Sequence, residues 1–302
     1  MQLGMVGLGR MGANMTVRLS RGGHEVVAFD VDAGAISSVT QRAENSSGAS
    51  SLGDLVSKLT TPRTVWIMVP AGEITDSTIA ELSKLLEAGD ALIDGGNSRY
   101  TDSLGHAAAL KEKGIDFVDV GTSGGVWGLD EGYCLMVGAD QAVFERLEPI
   151  FATLAPENGY ARVGEPGAGH FTKMVHNGIE YALMQAYGEG FDILANSDLD
   201  LKVEQIAEVW RHGSVVRSWL LDLAASALRK DPGLEQISGF VEDSGEGRWT
   251  VEAAIDQRTP APTIALALFS RFASRRDDTF TNRMIAALRH EFGGHAVQAR
   301  ER

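Results

Sequence analysis

Two groups of residues in this chain combine side-chain types and spacings that chemistry requires. The first is Gly7-Leu8-Gly9-Arg10-Met11-Gly12, a G-x-G-x-x-G loop between the β-rich run Leu3–Gly7 and the helical stretch Ala13–Ser20. In a strand–loop–helix setting the first glycine makes the tight turn, the second admits a pyrophosphate close to the backbone, and the third lets the helix pack on the strand. Unpaired N–H groups and the positive helix end then face the phosphates. Glycine-rich turns are common, so the loop gains weight from Asp30, which ends the next β-rich run roughly 20 residues on, where a carboxylate reaches the adenosine ribose hydroxyls. The pattern implies dinucleotide binding. A 2′-phosphate would meet Asp30 and Asp32, with no Lys or Arg in Val31-Asp32-Ala33 to offset the repulsion, so NAD is expected over NADP. Arg10 is placed to reach such a phosphate, which leaves NADP as the less favoured cofactor. The expected cofactor set is Gly7, Leu8, Gly9, Arg10, Met11, Gly12, Asp30, Val69 and Asn97.

The second group is Lys173, His176, Asn177, Glu180, Tyr181 and Met184, which recur at intervals of three and four and so share one helix face. Lys173 and Glu180 are two turns apart, about 10 Å along the axis, so both can touch opposite ends of one small substrate. An ordinary polar surface with a structural His and Asn would show the same spacing. A preceding dinucleotide-binding half shifts the balance toward a site.

These residues need elements to hold them. Through residue 165, short β-rich runs (Leu3–Gly7, Glu25–Phe29, Thr64–Val69, Ala91–Ile93, Asp116–Val120, Cys134–Val137) alternate with helical stretches, the sequence form of a doubly wound parallel sheet. Beyond Gly167 the pattern turns to long helical stretches, His170–Ala195, Val203–Ala227 and Ala261–Ser274. The expected fold is α/β: a Rossmann-type doubly wound domain over residues 1–165, then an all-helical substrate and oligomerisation domain over 166–302, divided in the Pro- and Gly-rich segment 164–169.

At 302 residues the chain is long enough for two domains. With 27 Lys and Arg against 41 Asp and Glu, its formal charge of −14 disfavours nucleic acid and anionic membranes as partners, and a small anionic substrate would need a local basic pocket. Cys134 is the single cysteine, which excludes an internal disulfide or Cys-rich zinc site and fits a cytoplasmic setting. No signal-peptide pattern opens the chain and no apolar run has membrane-spanning length, so neither secretion by a signal peptide nor a membrane span is expected. No metal is expected either, since no H-E-x-x-H or Cys/His cluster occurs.

The segment Gly167-Ala168-Gly169-His170-Phe171-Thr172-Lys173-Met174-Val175-His176-Asn177-Gly178-Ile179-Glu180-Tyr181 resembles the signature helix of the decarboxylating 6-phosphogluconate dehydrogenases. Asp94-Gly95-Gly96-Asn97-Ser98, Ser123-Gly124-Gly125 and Arg289-His290-Glu291-Phe292-Gly293-Gly294-His295 agree with it. The length is similar to the short bacterial branch, and K-x-x-H-N-G-x-E-Y differs from the K-x-x-N-N of the general β-hydroxyacid dehydrogenases. The resemblance implies oxidation of 6-phosphogluconate at C3, loss of CO2 and tautomerisation to ribulose 5-phosphate. It makes Lys173 the base that takes the hydroxyl proton and then stabilises the enolate, and Glu180 the acid that protonates C1 of the enediol. It assigns Asn97, Ser123, Gly124, Gly125, His176 and Asn177 to the substrate and nicotinamide, and Tyr181, Arg271 and Arg289 to the phosphate. It also implies at least a dimer, with Arg289 and His295 reaching a neighbouring subunit's site.

One segment departs from the family pattern. The longer enzymes carry K-G-T-G-K-W against phosphate, whereas this chain has Ser244-Gly245-Glu246-Gly247-Arg248-Trp249. Glu246 beside a phosphate would repel it, so either the loop is arranged differently and Arg248 serves, or the substrate carries less negative charge. Two other readings follow: a 3-hydroxyacid dehydrogenase acting on a smaller unphosphorylated acid without decarboxylation, and a non-catalytic dinucleotide sensor. Cys134 reads as a small core residue, and His24, His106, His170, His212 and His290 as surface or structural histidines.

Overall fold

The computed structural model of the chain describes residues 1–293, 296 and 298. It divides into two compact units, Met1–His176 and Asn177–Arg302. In the first, β1 (Gln2–Val6), β2 (Glu25–Phe29), β3 (Ser46–Gly48), β4 (Thr64–Ile67), β5 (Ala91–Asp94), β6 (Asp116–Ser123), β7 (Cys134–Gly138) and β8 (Tyr160–Gly164) form one 8-stranded sheet, ordered β3-β2-β1-β4-β5-β6-β7-β8. Every residue of β4 and β5 is buried, as befits strands covered on both faces. One apolar cluster packs Met15 and Leu19 of α1 (Arg10–Arg21) with Leu147 and Phe151 of α7 (Gln141–Leu154). The other packs Leu55 of α3 (Leu52–Ser57), Leu82 of α4 (Glu73–Leu85) and Leu110 of α5 (Tyr100–Lys111). Strand order reverses between β1 and β4, the switch point where open α/β sheets bind ligands at their carboxyl ends.

The sheet is mixed rather than wholly parallel. β7 runs antiparallel to β6, with Ser123 opposite Cys134, and β8 is parallel to β7. Only a 3₁₀ turn (Gly125–Trp127) and the short α6 (Gly128–Glu131) separate β6 from β7. A parallel return needs a crossover of about a dozen residues or more. Cys134 opens β7 and is exposed, which corrects its reading as a core residue. β3 and β8, the two edge strands, carry no apolar run and are unmarked in the sequence.

Helices make up the remaining regular structure: α8 (Ala168–Ala195), which begins in the first unit, then α9 (Val203–Trp210), α10 (Trp219–Lys230), α11 (Glu246–Asp256), α12 (Pro262–Ala273) and α13 (Phe280–Gly293). The stretch Val203–Ala227, expected as continuous, is broken between α9 and α10. Gly213 there takes φ +81°, and the Ser218 hydroxyl caps α10 by accepting the Leu221 N–H at 3.1 Å. Among the described residues no helix is long and apolar enough to cross a membrane.

The start of α8 is held by a buried carboxylate. Asp119 of β6 accepts the N–H of Gly167 at 2.5 Å through Oδ1 and that of His170 at 2.7 Å through Oδ2, satisfying donors that a helix N-terminus leaves without partners. Burial pushes the Asp119 carboxyl above the usual carboxylate range, against the opposing pull of His170 and these N–H groups. A Cβ on Gly169 would come within 3 Å of the Asp119 and Met136 carbonyl oxygens and the Gly138 nitrogen. The first turn of α8 therefore lies directly on the backbone of β6 and β7. We expect Gly169→Ala to destabilise the protein by about 2 kcal/mol or more, because the obstructing atoms are backbone. An unchanged denaturation midpoint would contradict this packing.

Candidate active site

The carboxyl ends of β1, β4, β5 and β6 bring most of the first unit's candidate residues together. Gly7 takes φ +92°, and a Cβ there would meet the Met68 carbonyl at 2.5 Å and Val69 Cγ1 at 2.9 Å, so the glycine loop lies against the end of β4. A Cβ on Gly9 would meet no atom within 4 Å. Gly9 is also the N-cap of α1, where no side chain caps the helix. Open space beside an uncapped helix end is what a pyrophosphate needs, so the loop fits the dinucleotide that its sequence implies. The half-buried Asp30 accepts the Leu8 N–H at 2.6 Å and the Asp32 N–H at 2.9 Å. Asp32 in turn caps α2 (Ala33–Arg42) by accepting the Gly34 N–H at 2.8 Å.

Asp94, fully buried at the end of β5, shapes the next turn. Its Oδ1 accepts the Gly96 N–H at 3.0 Å, and its Oδ2 accepts the Ser98 hydroxyl at 2.7 Å, which places Asn97 between them on the exposed rim. A Cβ on Gly96 would lie 3.1 Å from the Val69 carbonyl, so this turn adjoins the glycine loop's neighbour. Ser123 ends β6 half-buried, followed by Gly124 at φ +139° and Gly125 at φ +54°. Lys173, half-buried on α8, lies over Gly121 of β6: a Cβ added to Gly121 would overlap the Lys173 stem. His176 is half-buried one turn further along α8.

In the second unit, Asn177 donates from Nδ2 to Glu246 Oε1 at 3.0 Å, and Glu180 is half-buried on α8. Tyr181 is buried; its hydroxyl accepts the Ser244 N–H at 3.2 Å, and the Arg271 guanidinium lies 3.4 Å from its ring centroid. Arg271 is fixed there by donating to the Glu242 carbonyl at 2.9 Å. Arg289 is exposed on α13, and His295 lies outside the described residues. The segment 244–249 enters a helix: Glu246 opens α11, buried and facing Asn177, and Arg248 forms paired bonds of 2.8 and 3.0 Å to Asp243.

Residues 2–164 match the model of the NAD binding domain of 6-phosphogluconate dehydrogenase, and residues 169–301 match that of the 6-phosphogluconate dehydrogenase C-terminal domain. The chain belongs to the 6-phosphogluconate dehydrogenase family. It is an oxidoreductase of that family, the one its helix motif resembles. It is similar to the Bacillus subtilis protein YqeC, with 47% identity over 298 residues covering 99% of each chain. It is also similar to the NAD(+)-dependent, decarboxylating 6-phosphogluconate dehydrogenase of Haloferax volcanii, at 43% identity over 303 residues and 100% of each chain. Among solved structures, Plasmodium falciparum 6-phosphogluconate dehydrogenase superposes with a TM-score of 0.85 at 26% identity, covering 100% of this chain and 67% of that one.

Three residues that position this family's motifs here were given no role from the sequence: Asp94, quoted there only within its motif, Asp119 and Asp243. Asp119 had a visible signal, a charge inside the apolar run Phe117-Val118-Asp119-Val120. Asp243 had none, because its partners Arg248 and Arg275 are distant or unpatterned in the chain. Its side chain is only 3% exposed, and bonds from Arg248 and then Arg275 pull its carboxyl down to about 2. A folded value below the unfolded one gives stability that is present above about pH 4 and lost as pH falls toward 2. The lowering corresponds to about 2 kcal/mol. In acid titrations followed by thermal denaturation, Asp243→Asn should lower the neutral-pH midpoint and flatten this acid limb. An unchanged limb would count against the arginine clamp.

Proposed function

We propose that the protein catalyses oxidative decarboxylation of 6-phospho-D-gluconate to D-ribulose 5-phosphate and CO2, with NAD as the hydride acceptor. The observation that carries this reading is the seating of Lys173 over Gly121 of β6, the strand ending at Ser123, in the unit whose glycine loop has space for a dinucleotide. Bound NAD supplies the acceptor for the hydride leaving C3. Lys173 takes the C3 hydroxyl proton, and the resulting ammonium hydrogen-bonds the ketone oxygen and stabilises the enolate left when CO2 departs. Glu180, two turns along α8, donates the proton that C1 of the enediol needs. Asn97, Ser123, Gly124, Gly125, His176 and Asn177 hold the carboxylate, hydroxyls and nicotinamide.

Tyr181, Arg271 and Arg289 are the phosphate-side residues. Arg248 is less suited, since the Nε and Nη2 edge of its guanidinium already meets Asp243. Asp30 and Asp32 support NAD over NADP, because a 2′-phosphate beside the Asp30 carboxylate would also face the exposed Asp32. The Haloferax volcanii relative, named for its NAD(+) dependence, points the same way. A second copy of the chain is the partner that fits the second unit. Ile193, Leu266, Phe269, Phe280, Ile285 and Leu288 are each more than half exposed on α8, α12 and α13, more apolar surface than solvent contact favours. A cytoplasmic setting suits such an enzyme.

Purified protein should reduce NAD in the presence of 6-phosphogluconate with equimolar CO2, and kcat/KM for NAD should exceed that for NADP at least tenfold. In the same assay, Lys173→Met should lower kcat by about a thousandfold while NAD affinity stays within about twofold, since the glycine loop is untouched. Reduction without CO2, or activity confined to unphosphorylated 3-hydroxyacids, would overturn the substrate assignment. A strong preference for NADP would overturn the role given to Asp30.

A further inference from the structure

We infer that Ser103 and His170 are positioning residues: their side-chain bond closes a frame that holds Asn97 and Lys173 at one separation, and so aligns the base with the hydride acceptor. This role rests on the functional reading above, in which neither residue has a part. The frame starts in the sheet, where Asp94 of β5 and Asp119 of β6 are partners in parallel register. Paired residues of neighbouring strands present their side chains to the same face. Asp94 secures the turn that bears Asn97, through the Gly96 N–H and the Ser98 hydroxyl. Asp119 secures the start of α8, the helix that bears Lys173, through the Gly167 and His170 N–H groups.

The two anchored segments meet at their first helical turns. Ser103 Oγ of α5 lies 2.7 Å from His170 Nδ1, with Ser103 fully buried and His170 2% exposed. Beside this bond the rings of Tyr100 and Phe171 pack edge to face with centroids 5.0 Å apart, and a Cβ on Gly167 would come 2.7 Å from Leu104 Cδ2. The bond needs no particular charge on the ring, because the Ser103 oxygen accepts from a protonated Nδ1 and its hydroxyl donates to a bare one. Ser103 Oγ is also 3.4 Å from the Arg99 carbonyl, a longer contact within its own helix turn. His170 Nε2 is buried with no hydrogen-bond partner among the described residues, so Ser103 is the ring's one hydrogen-bonded link there. Tyr100, the first residue of α5, follows Asn97 by three residues, and Lys173 follows His170 by three. A shift of one helix start against the other therefore moves the two motif residues relative to each other. Misplacing reacting groups by about 1 Å can cost about 100-fold in rate, so this link bears on turnover without touching substrate.

Steady-state kinetics with 6-phosphogluconate, NAD binding by fluorescence titration and thermal midpoints of Ser103→Ala, His170→Ala, His170→Asn and the double Ala variant test this. Ser103→Ala should lower kcat about tenfold, with KM for 6-phosphogluconate and NAD affinity each within threefold of the unmodified protein. His170→Asn keeps a polar atom near the place of Nδ1 and should retain kcat within threefold, whereas His170→Ala should lose about tenfold. In the His170→Ala background, Ser103→Ala should lower kcat less than twofold further, and the double variant's midpoint shift should be smaller than the sum of the single shifts. An unchanged kcat in Ser103→Ala, a loss confined to KM, multiplying losses with additive midpoint shifts, or a His170→Asn variant as slow as His170→Ala would overturn the inference. If His170→Ala is unfolded at the assay temperature, Ser103→Ala and His170→Asn decide alone. Should the unmodified protein turn over only an unphosphorylated 3-hydroxyacid, the substrate assignment falls. The same losses measured on that acid would still uphold the frame, because base and hydride acceptor serve both reactions. No turnover of either class would overturn the functional reading and this inference together.

Discussion

The Asp119 carboxylate at the start of α8 is the interaction on which the arrangement of the first unit depends. A buried carboxylate is costly unless it is hydrogen-bonded, and the exposed N–H groups of a helix end are equally in need of an acceptor. Each resolves the other's deficit. Because Asp119 is in β6 and the N–H groups belong to Gly167 and His170, the exchange fixes where α8 begins relative to the sheet. Lys173 is then set by helical geometry alone, one turn beyond His170. Glycine at 121 and 169 removes the side chains that would otherwise hold helix and strand apart.

The second unit is built on different physics. Its buried apolar clusters are small, one formed by Tyr181, Ala267 and Leu268 and another by Ala207, Ala225 and Leu228. Arginine geometry supplies order that apolar packing does not. Arg275 donates to the Val241 carbonyl at 2.6 Å and, with Arg248, to Asp243, while Arg271 holds the Glu242 carbonyl and covers Tyr181. Exposed ion pairs contribute little to stability, but Asp243 is almost wholly screened from water, so its two partners act at short range with little competition from solvent. The segment leading into α11 is thereby held beside Tyr181 and Asn177.

Much of this was legible in the chain wherever the physical requirement was local. Gly7 needs a positive φ, Gly9 needs open space and Gly12 packs under the loop, and all three requirements are met within one strand–loop–helix unit. The helix face bearing Lys173, His176, Asn177, Glu180 and Tyr181 follows from a period that holds without a break through α8. Edge strands β3 and β8 were silent because an edge needs no apolar run. The antiparallel course of β7 was hidden because hydrophobic pattern reports burial and carries no direction. Segment 244–249 read as a departure from the longer enzymes' phosphate loop, and here Gly245 serves as the N-cap of α11 with φ +104° and Glu246 is drawn inward.

By itself, the sequence determined the interior strands of the first unit, the dinucleotide loop, the single motif face of α8 and the family, since each depends on residues close together or on a repeating period. Tertiary structure alone decided which carboxylates organise that framework. Asp119 was marked only as a charge in an apolar run and Asp94, Asp243 and Glu246 less than that, and the roles of all four arise from partners brought near by the fold: Ser98, the N–H groups of Gly167 and His170, two arginines, and Asn177. A charge changes its meaning when water is removed from around it. Where water is removed is a property of packing, which no single stretch of residues encodes.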